Sequence, residues 1–161
     1  MSKTLDLGCG QNPRNPFSMD EKYGIDIRED LNKNILMADL AVEPIPFESG
    51  FFDCVSAYDF IEHIPRVIYN PNRRFCFVEL MNEIYRVLKA GGIFFSQTPA
   101  FPAAEVFQDP THCNFITTQT FKLYFSGHNV AHIYGFTGKF ELIEQKWSES
   151  NTHLIVTMRK I

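Results

Sequence analysis

The stretch Leu5-Asp6-Leu7-Gly8-Cys9-Gly10 carries the most chemical information in this chain: an apolar run leading into a Gly-x-Gly turn. Only glycine lets the backbone turn tightly there and come within contact distance of a bound ligand. Asp26 follows 20 positions after Asp6, at the end of the next apolar run. An acid in that place can accept hydrogen bonds from both hydroxyls of a ribose. Together the two features describe a nucleoside pocket. A dinucleotide fits less well, because a pyrophosphate seat uses a third glycine and the start of a well-formed helix, whereas Gln11, Asn12, Pro13, Arg14, Asn15 and Pro16 follow here. Further along, His63 and His112 are candidates to take a proton from an acceptor, with Asp109 as an orienting or basic carboxylate. The competing reading is structural: Glu62-His63 would brace a helix start, and Asp109 with Thr111 would form an Asx-type turn.

Other chemistry is weakly signalled. His128 and His132 stand four apart, but Gly127 and Gly135 flank them and no fourth ligand has a suitable spacing, so no metal is expected. Cys9, Cys54, Cys76 and Cys113 form no C-x-x-C pair, which argues against a disulfide framework or a zinc site. Arg66, Arg73, Arg74 and Arg86 surround an insertion-like segment over Val67 to Phe75, where Asn70, Pro71 and Asn72 argue for a loop. They would either recognise an anionic acceptor or form a solvated charged surface. With 15 Lys and Arg against 19 Asp and Glu, the net charge is −4, so the non-specific attraction to phosphate backbones that nucleic-acid proteins use is missing and such a partner is disfavoured. No apolar run approaches the roughly 18 residues of a membrane span, and the first residues lack a secretory apolar region, so no membrane partner and a cytoplasmic location are expected.

The elements that position these residues read as one α/β domain over residues 1–161 with a mainly parallel sheet. Strands are predicted over Thr4 to Leu7, Tyr23 to Ile27, Ile35 to Ala38, Cys54 to Tyr58 and Ile93 to Gln97. The best helix carries Phe77, Leu80, Met81, Ile84, Tyr85 and Leu88 on one face, with Arg86 and Lys89 in its last turn and Gly91 at C′. A short helix over Thr118 to Phe125 would take Thr117 as its N-cap. Two last strands, Phe140 to Trp147 and Thr152 to Met158, have so short a link that they must pair as an antiparallel hairpin. The connections after strands one and two are shortened. Residues 28–34 are fewer than the 10–12 or so of an ordinary parallel crossover, so strand three or its helix is missing. Prolines leave space after strand one for at most one turn, capped by Asn12 with Pro13 at N1. An under-protected sheet face follows, to be covered by a folded-back loop or by a second copy in a homo-oligomer.

Taken together, residues Leu5 to about Arg159 resemble the class I, Rossmann-like S-adenosylmethionine-dependent methyltransferases. Leu5 to Gly10 is similar to their first motif, Asp26 to their ribose-binding acid, and Ala38-Asp39-Leu40 to their adenine-contacting segment. Phe51 to Ile64 resembles their fourth strand and the turn after it. Glu83 to Gly92 resembles the approach to the fifth strand, and Asp109-Pro110-Thr111-His112 the loop that follows. The resemblance implies S-adenosylmethionine as cofactor, S-adenosylhomocysteine as product, and a compact domain of the small-molecule type. Gly8, Cys9 and Gly10 would meet the methionine moiety, with Asp6 holding the turn or the amino group. Asp26 would grip the ribose, Ile27 would be a further cofactor contact, Asp39 would accept from the adenine amino group, the Leu40 amide would face a ring nitrogen, and Tyr58 would lie near the reacting end. Methyl transfer is an in-line displacement in which positioning does much of the catalysis. Neither an Asn/Asp/Ser-Pro-Pro-aromatic signature nor a Pro-Cys nucleophile follows strand four, so a small-molecule acceptor is favoured over a nucleic-acid base. Two alternatives stay open: a non-catalytic or partner-dependent cofactor-binding subunit, and a nicotinamide-dependent reductase.

Overall fold

The structure is a computed structural model that describes residues 1–69 and 71–161. Among the described residues one sheet contains β1 (Lys3–Leu7), β2 (Glu21–Asp26), β3 (Ile35–Met37), β4 (Phe52–Tyr58), β5 (Leu88–Pro99), β6 (Phe140–Trp147) and β7 (His153–Lys160). Their order is β3-β2-β1-β4-β5-β7-β6. All neighbours are parallel except β7, which runs antiparallel to both β5 and β6. The expected mostly parallel α/β sheet with its antiparallel hairpin is therefore present. No helix among the described residues is long and apolar enough to cross a membrane.

Strand three is formed despite its short approach. It starts beside Gly24 rather than beyond the end of β2, so the returning chain has little distance to cover. The link holds one 3-10 turn, Leu31–Lys33, then Asn34 in the left-handed region at φ 56°. Residues 8–20 contain no helical turn, and the expected Asn12-capped turn is not there. Side chains hold that loop instead. The Arg14 amide donates to Asp6 Oδ2 at 2.8 Å, and Asn15 exchanges hydrogen bonds of 2.8 Å with the Met19 amide and carbonyl.

The main helix, α1 (Cys76–Val87), buries Phe77, Leu80, Met81 and Ile84 against the sheet as its spacing predicts. It ends sooner than expected, and Gly91 is not its C′ residue. Leu88 is already extended (φ −72°, ψ 138°) and pairs with Phe52, while Gly91 at φ 75° bends the start of β5. Lys89 consequently lies in β5, where its Nζ reaches Asp53 at 2.7 Å. After α2 (Glu105–Gln108), the short α3 (Thr120–Tyr124) starts later than predicted. Thr117 shapes the preceding turn, with its hydroxyl accepting from the Gln119 amide at 3.2 Å. Of the loop expected around Pro71, Asn70 lies outside the described residues, and the flanking Ile68 and Arg74 pair as an antiparallel bridge.

Residues 38–51 also run without a helix. Arg86 pins them: its guanidinium donates to the carbonyls of Phe47 and Ile45 at 2.7 and 2.8 Å and to Glu83 Oε2 at 2.7 Å. Glu83 Oε2 in turn accepts from the Ile45 amide at 2.9 Å. Arg86→Ala removes these bonds and leaves two carbonyls without a donor, so urea unfolding is expected to show a loss of about 2–3 kcal/mol. Hydrogen bonds from Arg86 hold the Glu83 carboxyl below the ordinary glutamate range, against the opposing effect of burial. A depressed carboxylate contributes stability above its unfolded pKa and loses it as pH falls through the folded one. The difference between wild type and variant should thus be full at neutral pH and shrink below about pH 4.

The two sheet faces are covered unequally. Leu5, Leu7, Val55 and Phe94 lie in the core with α1 and Phe121 of α3. On the other face the loop 8–20 buries Thr4, Asp6, Cys54 and Ser56. Its Phe17 reaches Phe95, with ring centroids 6.0 Å apart. Beyond that contact Ile93, Phe95, Gln97, Ile155 and Thr157 stay half-buried. A folded-back loop therefore covers part of this face, not all of it.

Candidate functional site

Strand order reverses between β1 and β4, and the crevice outside the carboxyl ends of strands at such a point is where α/β sheets hold ligands. A cleft of about 290 Å³ opens there, and Gly8, Asp26, Ile27, Asp39, Leu40 and His63 line it together with Asp59 and Phe60. Six of the residues singled out in the sequence thus share one cavity.

Each wall has a local cause. Gly8 turns at φ 63°, and a Cβ on it would stand 2.3 Å from Cδ2 of Phe60, so the ring closes directly over a position that only glycine can occupy. The Gly10 amide donates to Asp26 Oδ2 at 2.9 Å, tying the turn to the end of β2. The other Asp26 oxygen meets the Arg28 amide and Nε only at 3.3 and 3.4 Å, and that arginine side chain is 74% exposed. This oxygen is open to a stronger partner. Asp39 starts a single reciprocal turn: its amide donates to Glu43 Oε2 at 2.7 Å and its Oδ1 accepts from the Ala41 amide at 3.1 Å. Among the described residues the Leu40 amide has no acceptor and Asp39 Oδ2 no donor. Beside them Ile27 is 69% exposed. An exposed apolar side chain, an amide without an acceptor and an open carboxylate oxygen are the parts a purine ring and its amino group would use.

Asp6, Cys9, Gly10 and Tyr58 stand outside the cleft lining. Both carboxylate oxygens of Asp6 are engaged, one by the Arg14 amide and one by the Ser56 hydroxyl at 2.7 Å, so Asp6 holds the turn. Burial raises its pKa, and those hydrogen bonds oppose the shift. The Cys9 side chain packs on Gly24. Burial, then the charges of Asp6 and Asp26, push its thiol up to about 12, which keeps it neutral and leaves its backbone as the useful part. The Tyr58 ring lies under the Arg14 guanidinium at 4.4 Å and 5.1 Å from the Phe95 ring, on the loop-covered sheet face.

His63 and His112 do meet. Their rings stand edge to face with centroids 4.9 Å apart. Asp109 reaches His63 through one hydroxyl: Thr111 Oγ1 donates to Asp109 Oδ1 at 2.7 Å and lies 3.0 Å from His63 Nδ1. The Asx turn forms as well, with the Thr111 amide 2.8 Å from the same Oδ1. Hydrogen bonds from Thr111 hold the Asp109 carboxyl below the usual range. His128 is exposed and His132 Nδ1 bonds the Asn129 carbonyl at 2.9 Å; neither approaches this cluster. Three of the four arginines are engaged by hydrogen bonds, Arg66 with Asn114 and the Phe115 carbonyl, Arg74 with Glu79 and Arg86 as above, while Arg73 stands over the Phe75 ring at 5.2 Å. Asp59 and Phe60 were not singled out from the sequence, and the buried Glu62 was read there only as a brace at a helix start. Asp59 sits in the left-handed region at φ 48°, its amide donating to the Gln97 carbonyl at 2.9 Å and its carboxylate 2.9 Å from His153 Nε2.

Comparison with known proteins gives a consistent picture. The sequence model of the family described as "Methyltransferase domain" matches residues 5–96. No curated protein sequence matches the chain. Among solved structures it is similar to an S-adenosylmethionine-dependent methyltransferase from Archaeoglobus fulgidus, with 17% identity and a TM-score of 0.60 over 99% of this chain and 86% of that one. A second, from Mesorhizobium loti, has 14% identity and a TM-score of 0.63 over 98% and 90%. A third match is to a chain of the complex between the Haloferax volcanii Trm112 methyltransferase activator and a methyltransferase, at 11% identity and a TM-score of 0.63 over 98% and 82%. At such identities the structural likeness speaks to fold, and function has to come from the site.

Proposed function

Because the chain belongs to the methyltransferase-domain family, we propose that it takes S-adenosylmethionine as its cofactor and methylates a small molecule presented to His63 and His112. The observation that carries this reading is the single cleft that joins Gly8, Asp26, Ile27, Asp39 and Leu40 to His63. When bound, the cofactor supplies an electrophilic methyl group and leaves as S-adenosylhomocysteine. The chain's own task is to hold and orient. The open oxygen of Asp26 accepts from the ribose hydroxyls, Ile27 lies against the base, and Asp39 Oδ2 and the Leu40 amide read its edge. The backbone of Gly8 to Gly10, stiffened by Asp6 and Asp26, faces the methionine end. His63, oriented through Thr111 and Asp109, and His112 stand where an acceptor's proton has to leave.

Calorimetric titration with S-adenosylmethionine, S-adenosylhomocysteine and NAD tests the cofactor assignment. Binding of the first two at micromolar strength and none of NAD is expected, and preference for NAD would move the chain to the reductase alternative.

A partner-dependent reading has its own support in the half-buried row Ile93, Phe95, Gln97, Ile155 and Thr157, with the activator-bound neighbour as analogy. A second copy seated on this row would give a dimer mass in light scattering. A monomer that is fully active alone would remove the reading.

A further inference from the structure

Glu62, His63 and His112 come together from the exit of β4 and from the loop after β5. One nitrogen of each imidazole and one carboxylate oxygen of Glu62 lie within 4.8 Å of one another. The Nδ1 atom of each ring is already engaged. His112 Nδ1 lies 3.0 Å from the Val106 carbonyl; a carbonyl only accepts, so in the neutral ring Nδ1 carries the proton and Nε2, 4.0 Å from Asp109 Oδ2, keeps its lone pair. His63 Nδ1 lies 3.0 Å from Thr111 Oγ1, whose one proton goes to Asp109. His63 must therefore donate through Nδ1, and its Nε2 is likewise a bare lone pair.

Glu62 is 2% exposed and accepts from Thr98 Oγ1 at 2.6 Å. Its carbonyl accepts from the Cys113 and Asn114 amides at 2.8 and 3.0 Å, which ties the His112 segment to the Glu62–His63 segment. An imidazole whose second nitrogen donates to a carbonyl, or to a carboxylate through a hydroxyl, is oriented as metal-ligating histidines are.

We propose that Glu62, His63 and His112 form a binding site for one divalent first-row transition cation, with zinc as the best-fitting ion. Two imidazoles and a carboxylate leave further coordination positions open and suit zinc or a similar ion better than magnesium or calcium, which prefer all-oxygen sets. Donors about 2.0–2.2 Å from one tetrahedral ion stand roughly 3.3–3.6 Å apart, so side-chain rotations that move these atoms by up to about 1.5 Å close the set. His63 also lines the cofactor cleft. The site stands on this geometry alone, whereas its use rests on the methyl-transfer reading: a cation there would bind an acceptor through oxygen and acidify it, replacing a free imidazole as the base.

The test uses the full-length chain stripped with EDTA and titrated calorimetrically with zinc chloride, with no acceptor present. About one equivalent should bind, with affinity reduced at least ~100-fold in His63→Ala and in His112→Ala and unchanged in the double variant His128→Ala/His132→Ala. Titration of the stripped wild type with Co²⁺ provides a readout that does not depend on variants folding: one equivalent should give visible ligand-field absorption that zinc then displaces. No zinc binding by wild type, or equal binding in His63→Ala and His112→Ala, would overturn the proposal. S-adenosylmethionine titrated into the same stripped sample reports separately on the cofactor cleft, so loss of one reading leaves the other standing.

Discussion

Replacing Asp26 by alanine should weaken S-adenosylmethionine binding by about a hundredfold while the chain stays folded. The carboxylate has two duties at the end of β2. One oxygen holds the Gly10 amide at 2.9 Å and so keeps the glycine turn in shape; the other faces the cleft beside an exposed arginine. Hydrogen bonds to a charged group contribute about 1.5–3 kcal/mol each, and roughly 3 kcal/mol lost from the ribose and the turn together is a factor of about 100 in affinity. Asp26→Asn separates the duties, since an amide oxygen still accepts from Gly10 but the charge is gone, and an intermediate loss of about tenfold is expected. Calorimetric titration of the three proteins, with circular dichroism as the fold control, reads both effects. Wild-type affinity in Asp26→Ala would mean that no ribose sits at this carboxylate.

Gly24→Val should damage the same cleft from a distance. Gly24 lies inside β2, and a Cβ there would stand 2.4 Å from Cys9 Sγ and 2.8 Å from Pro13 Cγ. The loop that carries Gly8 to Gly10 rests flat on this bare stretch of strand. A valine forces the loop away, with an overpacking cost of about 1–3 kcal/mol and the loss of the hydrogen bonds from Gly10 to Asp26 and from Arg14 to Asp6. Urea unfolding should show about 3 kcal/mol of destabilisation, and cofactor affinity should fall at least ~10-fold. Gly24→Ala tests the cause: its defect should be partly relieved by Cys9→Ala, which removes the nearest atom, and the coupling should appear in a double-mutant cycle. Additive effects would show that the loop does not rest on Gly24.

Much of this could be read from the residues because short range decided it. The Gly-x-Gly turn, the acid ending the next strand and the hairpin with its brief link depend on local conformation and chain length. What escaped depends on register. Ser56 faces Asp6, so Tyr58, two residues further along β4, shares that face and turns from the cleft. Asp59 takes its left-handed conformation where its amide meets Gln97 of β5 and its carboxylate meets His153, contacts no local pattern encodes. His63 and His112 meet only after β4 and β5 pair, and Glu62, legible in the sequence only as a brace at a helix start, is tied to the His112 segment through its carbonyl. Gly91 looks like a helix terminator, but pairing of Leu88 with Phe52 ends the helix first.

The strand order also constrains when the sheet can be completed. β5 pairs with β7 rather than with β6, so the later-made of the two hairpin strands must enter between two earlier ones. Until β7 has emerged from the ribosome, β5 presents an unpaired edge, and the nascent chain can assemble its parallel half, β1 to β5, without its antiparallel seam. Closing that seam joins segments distant in sequence and is correspondingly slow. The interval exposes a strand edge and half-buried apolar side chains to other chains, which makes this the stage of biosynthesis at which a chaperone would find its client.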